Sequence, residues 1–350
     1  MRSFESLYPL TADLRPITLL SFGCEGGAGK AALQLAEGLS AAGARVRFVT
    51  LQRGKAAHEW ITEISDNGRS LFAKSRISLG IALSRGYPKR PHGYEYFSTV
   101  KGVVDLSVVD AVKKAALIHL HWTEGLAGWP GSGGALAGKP LVWTLHDMNP
   151  FTGGCHYTAG CEKYTAAGCV NCPQLGPSLN GKDLAAENFA AKSEGYALLN
   201  LTAVTPGRWL GECVRASRLL GSFPREVIPN GIDTDVFSPL PRDEARAVFG
   251  LPPGRRMVLF SANDVNRRNK GYQVLLAALD RLLPRWTDGP PPLLLILGTP
   301  PQEKPPGYEC FLPGFIEDKA KLAAAYAAAD VFVSPSFQEV FGLATAEAQA

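Results

Sequence analysis

Short apolar runs separated by helical patterns dominate the first two thirds of the chain. Residues 17–22 form the first run, followed by a glycine-rich turn at 23–29, an Ala- and Leu-rich helical stretch at about 30–42, and a second apolar run at 45–51. This order is typical of a βαβ unit, whose strands lie parallel in one sheet. Three later runs are short and rich in Ile, Val or Leu, as buried parallel strands are, at residues 116–121, 140–145 and 201–204.

A turn-rich passage at 227–241 precedes a second α/β pattern. Its strands are predicted at residues 257–261, 293–298, 308–312 and 331–334, and its helices at 272–283, at 318–329 and from about Gly342 onward. Because the chain ends inside a helical pattern without a glycine cap, we expect this part to be truncated at its C-terminus. The sequence predicts an α/β fold of two Rossmann-like domains in tandem, residues 1–238 with a cysteine-rich insertion at 151–176, and residues 239–350.

Composition and charge exclude several classes of protein. The 350 residues are 46% hydrophobic and 19% charged, which excludes a disordered or fibrous chain. The net charge of +4 is too small for a nucleic-acid binder but suits an anionic ligand or loose contact with an anionic membrane face. The sequence has neither an apolar run long enough to span a membrane nor the basic start of a signal peptide. We therefore expect a cytoplasmic protein, with peripheral contact to the inner face of the membrane as an option.

The glycine-rich turn stands where open α/β sheets bind ligands, at the carboxyl end of the first strand. It differs from a nucleotide-binding P-loop, because Gly23 and Gly29 enclose five residues rather than four and Ala31 replaces the magnesium-binding Ser or Thr. We predict that Gly26 and Gly27 face a ligand. A purely structural turn is the alternative.

Histidines follow two of the predicted strands. His146 and Asp147 end the strand at 140–145, where His146 could act as a base or as a hydrogen-bond donor to substrate. The alternative is a histidine satisfied by local backbone groups. His119 and His121 alternate along the preceding strand and should point to one face, either near the same ligand or as core residues.

Four of the seven cysteines, Cys155, Cys161, Cys169 and Cys172, fall within eighteen residues. In a reducing compartment this clustering favours metal ligands over disulfides, and the short Cys169–Cys172 spacing suits a tetrahedral ion. We predict a structural zinc ion that stabilises this polar loop. An iron–sulfur cluster and free or oxidisable thiols are the alternatives, and His156 is a competing ligand.

A basic loop follows the first strand of the second pattern and precedes a helix. It contains Arg267, Arg268 and Lys270. Arg offers bidentate contacts to a diphosphate and Lys a compact charge, so we predict that the loop faces a diphosphate. A solvated surface loop is the alternative.

Two glutamates, Glu339 and Glu347, flank the start of the last predicted helix. Unpaired N–H groups at Phe341, Gly342 and Leu343 would suit a phosphate, and the two carboxylates would suit sugar hydroxyls. We predict a ligand site here, because strand, loop and helix follow one another in the required order.

Together these motifs resemble the family 4 retaining glycosyltransferases of GT-B architecture, specifically the bacterial exopolysaccharide type related to colanic acid biosynthesis enzymes. The resemblance covers nearly the whole chain and rests on motifs in the family's order: GGAGKAALQLAEGL, HLHW, VWTLHDMNPFTGGCHY, VTPGRWL, VIPNGIDTDVF, NKG and SPSFQEVFGLATAEA.

The resemblance implies an enzyme that transfers a hexose, with retention, from a UDP- or GDP-sugar to a saccharide or lipid-linked saccharide, without a catalytic divalent metal. It places the donor diphosphate near Arg268, Lys270 and Gly342. It also implies that Glu347 binds the ribose and that Glu339 lies nearest the transferred sugar.

The sequence departs from the family pattern at two points. Asn263 and Asp264 stand where the family usually has an Arg, so Arg267 or Arg268 would have to replace it. The family also continues beyond the second glutamate with further strands and a helix. The competing hypothesis is a non-catalytic saccharide- or partner-binding protein with a degenerate, truncated donor domain.

Overall fold

The computed structural model describes residues 16–66, 69–71, 86–165, 168–179 and 181–350. The chain divides into two compact units. The first comprises Met1–His92 and Tyr96–Pro229, and the second comprises Gly93–Glu95 and Asn230–Ala350. Apart from Gly93–Glu95, the chain passes from the first unit to the second after Pro229, inside the predicted turn-rich passage. The amino-terminal segment considered above for a signal peptide lies outside the described residues.

The first unit contains a seven-stranded parallel sheet in the order β3-β2-β1-β6-β7-β8-β9. Its strands are β1 Ile17–Leu20, β2 Val46–Thr50, β3 Ile61–Glu63, β6 Leu117–Leu120, β7 Pro140–Thr144, β8 Asn200–Thr205 and β9 Arg225–Val227. A small antiparallel pair, β4 Ser65–Asp66 and β5 Arg69–Ser70, stands apart from this sheet. The five inner strands confirm the predicted ones to within two residues. The edge strand β3 was missed because most of its residues are exposed, so it carries no continuous apolar run. The other edge strand, β9, ends at Val227, where the turn-rich passage predicts the end of a strand.

Helices follow the strands of this sheet. They are α1 Gly26–Ala41, α2 Asp110–Lys113, α3 Gly131–Leu136, α4 Leu184–Tyr196 and α5 Arg208–Ala216. Helix α4 begins at a capping residue, Asp183, whose carboxylate accepts hydrogen bonds of 3.1 Å from the N–H groups of Ala185 and Ala186.

Helix α1 begins earlier than the sequence predicts. Gly26 and Gly27 form its first turn rather than part of the preceding loop. The helix packs so closely on the strand end that a Cβ atom at Gly29 would lie 2.5 Å from the carbonyl oxygen of Gly23. This close approach explains Gly29. A Cβ atom at Gly26 or Gly27 would have no neighbour within 4 Å, and ligand binding at these two residues stays a prediction.

The second unit has a four-stranded parallel sheet in the order β12-β11-β10-β13. Its strands are β10 Met257–Ala262, β11 Leu293–Gly298, β12 Cys310–Gly314 and β13 Val331–Phe332. Its helices are α6 Arg242–Ala247, α7 Tyr272–Leu282, α8 Lys319–Ala328 and α9 Leu343–Gln349. Every strand and helix predicted in this half is present, which confirms the second α/β pattern.

The side chains of β11 pack against helices on both faces of the second sheet. Leu293, Leu295 and Leu297 pack into a cluster that includes alanines of α8, whereas Leu294 and Ile296 pack into another cluster that includes leucines of α7. Successive side chains of a strand point to opposite faces, so covering both faces requires an uninterrupted apolar run. In the described part of the chain, no helix combines the length and the apolar character needed to cross a membrane.

Candidate functional site

Three histidine rings stack at the carboxyl ends of β6 and β7, which lie side by side. The ring centroids of His119 and His121 are 4.4 Å apart, and those of His121 and His146 are 5.3 Å apart. His121 Nδ1 lies 3.0 Å from His146 Nε2, and His119 Nε2 lies 2.8 Å from Thr144 Oγ1. This histidine stack confirms that His119 and His121 share one face. The hydrogen-bond partner of His146 is His121, not a local backbone group.

The histidine stack is uncharged at neutral pH. Burial, with a contribution from His146, lowers the pKa of His119 to about 4. Burial also lowers the pKa of His146 to about 4, and that of His121 falls well below its ordinary value. Each ring therefore has one N–H donor and one lone-pair acceptor.

Asp147, the residue after His146, accepts three hydrogen bonds. Its Oδ2 accepts hydrogen bonds from His156 Nδ1 at 2.7 Å and Trp122 Nε1 at 3.1 Å, and its Oδ1 accepts one from the Asn149 N–H at 2.8 Å. Burial opposes the charges, but the mutual attraction of the pair prevails, lowering the pKa of Asp147 and raising that of His156.

His156 continues this chain of contacts to Ser98. Its Nε2 lies 2.8 Å from Ser98 Oγ, so Ser98, His156 and Asp147 have the connectivity of a nucleophile, a base and an orienting acid. Ser98 is only 4% exposed. The chain is therefore an internal support for the loop after β7 and not an accessible nucleophile.

Two further charged groups lie beneath this loop. Lys192 is 3% exposed and donates hydrogen bonds to the carbonyl oxygens of Asn149, at 2.5 Å, and Thr152, at 3.0 Å. Burial lowers the pKa of Lys192 to about 8 and, with Asp147, raises that of Glu124 to about 7. We refer to Glu124, Asp147, His156 and Lys192 as the buried ionic cluster; Glu124 as a whole is half-buried, but its Oε2 atom is inaccessible to solvent.

Glu124 and Lys192 were not predicted as site residues from the sequence, although the position of Lys192 on α4 is informative. On α4 it follows the buried Ala185 and Phe189 at helical spacing and precedes the buried Tyr196. A lysine within such a stripe indicates a buried polar partner. Glu124 and Lys192 line a cavity with about 10 Å³ of space for a water centre, enough for a single water molecule.

The four clustered cysteines influence one another's ionisation. Cys155 interacts with Cys172 and Cys169, and Cys169 interacts with Cys172 and Cys161. The interaction with Cys155 lowers the pKa of Cys172 to about 7, which favours a thiolate, whereas burial raises the pKa of Cys169 to about 11. All four are free thiols, and among the described residues no group of three or more His, Cys, Asp or Glu side chains is placed to hold a metal ion. The structural zinc site stays a prediction.

In the second unit, the basic loop and the Glu339 loop come together. Lys270 Nζ lies 2.7 Å from Glu339 Oε2, with the two side chains 27% and 31% exposed. Lys270 closes a single 3-10 turn after β10, and Gly271 follows it in the left-handed conformation at φ 70°. A Cβ atom at Gly271 would collide with the carbonyl oxygen of Pro335. The NKG sequence therefore allows the two loops to approach closely.

The two arginines of the basic loop already have partners. Arg267 forms ion pairs with Glu95, which belongs to the same unit, and with Asp264 at 3.4 Å. The guanidinium of Arg268 lies 6.0 Å from the centre of the Tyr94 ring. To contact a diphosphate, Arg267 would have to leave its two carboxylate partners. Arg268 would have to leave only its weaker cation–π contact with Tyr94.

Glu347 lies on α9 and is held by the preceding helix. Its Oε2 accepts a 2.9 Å hydrogen bond from the hydroxyl of Tyr326 on α8. Gly342, which has φ 77°, precedes the first residue of α9, Leu343, and Phe341 lies in the loop before it. The predicted order of strand, loop and helix is therefore present.

Both halves of the chain match glycosyltransferase family models. Residues 26–231 match the model described as "Glycosyl transferase 4-like domain", and residues 255–350 match "Glycosyl transferases group 1". The chain belongs to the glycosyltransferases that have a glycosyl transferase 4-like domain. One curated relative is D-inositol 3-phosphate glycosyltransferase 2 of Catenulispora acidiphila, 28% identical over 256 residues, covering 67% of this chain and 52% of the relative. The chain spans about half the length of the curated relatives it matches.

Solved glycosyltransferase structures share the GT-B fold of the chain. Sucrose-phosphate synthase from Thermosynechococcus elongatus has a TM-score of 0.54 at 19% identity, covering 95% of this chain and 78% of that one. The Anabaena protein HepE in complex with UDP-glucose has a TM-score of 0.51 at 15% identity, covering 95% of this chain and 77% of that one. These matches confirm the fold predicted for this glycosyltransferase chain. Its narrower resemblance to the exopolysaccharide type stays a prediction.

Proposed function

We propose that this chain supplies the catalytic machinery for transferring a hexose from a nucleoside diphosphate sugar to a saccharide or lipid-linked saccharide, with retention at the anomeric carbon. The setting we propose is exopolysaccharide or cell-surface polysaccharide synthesis. The observation that carries the proposal is the half-buried Lys270–Glu339 ion pair, 2.7 Å long, beside the start of α9.

The charges of the second unit suit a nucleotide diphosphate, either UDP or GDP. Lys270 is half-buried, so its charge is only partly screened by solvent, and Arg268 lies two residues before it. Both cations would stabilise the diphosphate as it becomes the leaving group, the kind of electrostatic assistance that contributes most to such reactions. Because these side chains can supply the charge, we propose that transfer needs no divalent metal.

The two glutamates would recognise hydroxyl groups. A carboxylate accepts hydrogen bonds through two oxygens, and adjacent hydroxyls of a ribose or hexose can donate to both. We propose that Glu347, oriented by Tyr326, binds the ribose. Glu339 would lie nearest the transferred sugar and would exchange its contact with Lys270 for a sugar hydroxyl when the diphosphate binds.

In the first unit, His146 is the proposed sugar-contacting residue. It lies two residues after the end of β7 and is half-buried, and its neighbour Asp147 is fixed by three hydrogen bonds. A neutral imidazole held in this way can form a directed hydrogen bond to a donor sugar or an acceptor hydroxyl.

The curated relatives favour a second candidate acceptor. The relative from Catenulispora acidiphila is named a D-inositol 3-phosphate glycosyltransferase. A phosphorylated cyclic polyol would satisfy the same hydrogen-bonding groups as a saccharide, so it belongs in any acceptor panel. We propose a cytoplasmic location, with the net charge of +4 allowing peripheral contact with an anionic membrane face.

A transfer assay tests the proposal directly. The protein is incubated with UDP- and GDP-hexoses and with a panel of saccharides, lipid-linked saccharides and inositol 3-phosphate, with and without EDTA. Proton NMR of the product then gives its anomeric configuration. We expect transfer with retention from one donor class, unaffected by EDTA. Nucleotide binding without turnover on any acceptor would favour the non-catalytic saccharide-binding alternative, and the absence of both would overturn the proposal.

A further inference from the structure

The hydrogen bond between His121 and His146 raises the question of which nitrogen carries the proton. Both rings are neutral, so one must donate and the other accept across the 3.0 Å contact between His121 Nδ1 and His146 Nε2. If His121 donates, its own Nε2 is a bare lone pair. If His146 donates, His121 Nε2 must carry a proton.

The surroundings of His121 decide between these two arrangements. His121 is 3% exposed, and among the described residues its Nε2 is buried without a hydrogen-bond partner. A buried N–H without an acceptor is rarer and less tolerable than a buried acceptor without a donor. The arrangement with His121 Nδ1–H as the donor is therefore favoured.

We propose that His121 is a positioning residue that fixes His146 in the tautomer protonated at Nδ1. His146 Nε2 is then occupied as an acceptor, so the ring offers a ligand only its Nδ1–H. Within the described part of the chain, that nitrogen has no hydrogen-bond partner, and the His146 side chain is half-buried.

This assignment limits the chemical role of His146. That role, unlike the tautomer, rests on the proposed function, in which His146 contacts a sugar or an acceptor. A ring with its lone pair occupied cannot remove a proton, so His146 is a hydrogen-bond donor and not a general base. Its ligand must present an oxygen lone pair, such as a sugar hydroxyl or ring oxygen. Stacking of His121 between His119 and His146 holds the donating ring in place.

The test is a long-range proton–nitrogen NMR correlation on the complete ligand-free chain labelled with nitrogen-15 histidine, with His146→Gln assigning the signals. We expect His146 to be protonated at Nδ1. His121→Phe keeps a ring but removes the donor, and should shift the His146 proton to Nε2. His119→Phe is the matched control, because it replaces a neighbouring ring of the stack without touching the His121–His146 bond, and it should leave the tautomer unchanged.

Two results would overturn the assignment: a native His146 protonated at Nε2, or an Nδ1 proton that His121→Phe does not move. If His121→Phe fails to fold, His121→Asn replaces it, since its amide nitrogen can donate from the position of Nδ1 and should retain the Nδ1-protonated His146. Loss of that tautomer in a folded His121→Asn protein would also contradict the assignment.

Where transfer is measurable, His121→Phe should lower kcat/KM about tenfold, the effect of one lost hydrogen bond, and His121→Asn should restore most of it. The NMR result does not depend on turnover, so a failed transfer assay leaves it intact.

Discussion

The carboxyl ends of the two sheets use charge in opposite ways. In the first unit, Glu124, Asp147, His156 and Lys192 are packed beneath the loop after β7. In the second, Lys270 and Glu339 are about 30% exposed and contact each other directly. A buried charge that loses its partner is costly because bulk solvent cannot reach it, whereas half-exposed charges can exchange partners at small cost. The charges of the first unit can therefore fix the loop after β7 in one conformation, and those of the second unit can bind an ionic ligand.

Removal of the buried cation should have the largest effect. Lys192→Met leaves Glu124 without its buried counter-charge and removes the donor to the carbonyl oxygens of Asn149 and Thr152, and we expect a loss of about 3–5 kcal/mol in the free energy of unfolding of the first unit. Chemical denaturation monitored by tryptophan fluorescence measures it. Lys114→Met is the control, because Lys114 forms an exposed ion pair with Asp110, and it should change stability by less than about 0.5 kcal/mol. Equal stability of the two variants would show that the buried cluster is not a support.

Removal of the half-exposed cation should instead affect binding. Lys270→Ala should weaken UDP or GDP affinity about 10- to 100-fold, because it removes a charge-assisted contact to the diphosphate, and it should leave stability nearly unchanged. Titration calorimetry measures the affinity. Lys114→Ala, which changes a lysine just before the opposite, amino end of β6, serves as the control. An unaltered affinity in Lys270→Ala would remove Lys270 from the site.

The pH dependence of stability should reveal Glu124. Its pKa is raised to about 7 from 4.5, so the folded state binds the proton more tightly than the unfolded state. This contribution is fully present below pH 4.5 and is lost as the pH rises to about 7. Glu124→Gln should therefore gain up to about 3 kcal/mol of stability relative to the native protein over this range. Denaturation at several pH values measures this, and Glu212→Gln, at an exposed ion pair, should show no such trend.

The smallest effect is expected at a residue that only orients another. Tyr326→Phe removes the 2.9 Å hydrogen bond to Glu347, and we expect nucleotide affinity to fall about threefold. Tyr308→Phe is a matched control in the same unit, because its hydroxyl donates to the carbonyl oxygen of Leu279. That variant should bind nucleotide normally. Equal affinities for both variants would mean that Glu347 does not need Tyr326.

The two regions also differ in how far the sequence predicts them. Lys270, Gly271 and Glu339 lie in short motifs next to strand ends, so their approach follows from the order of strands. The buried ionic cluster joins Glu124 and Lys192, which are 68 positions apart, through packing that no local pattern encodes. Inner strands were predicted because burial on both faces demands continuous apolar runs.

The cysteine segment shows what spacing leaves open. Four cysteines within eighteen residues fit a zinc pattern along the chain. In the fold, Cys155 is buried beside Cys172, and burial raises the pKa of Cys169 to about 11. Spacing constrains only neighbours along the chain, whereas a tetrahedral site requires all four sulfur atoms to converge, so the zinc site stays a prediction.

Amide hydrogen exchange with and without saturating UDP or GDP locates the nucleotide without assuming any residue. We expect slowed exchange in the second unit at residues 264–272 and 335–347, which carry the basic loop and the Glu339–Glu347 segment. We expect no change at the amino ends of the second sheet's strands, such as residues 253–257. Protection confined to other segments, or none at a nucleotide concentration that saturates binding by calorimetry, would contradict this expectation.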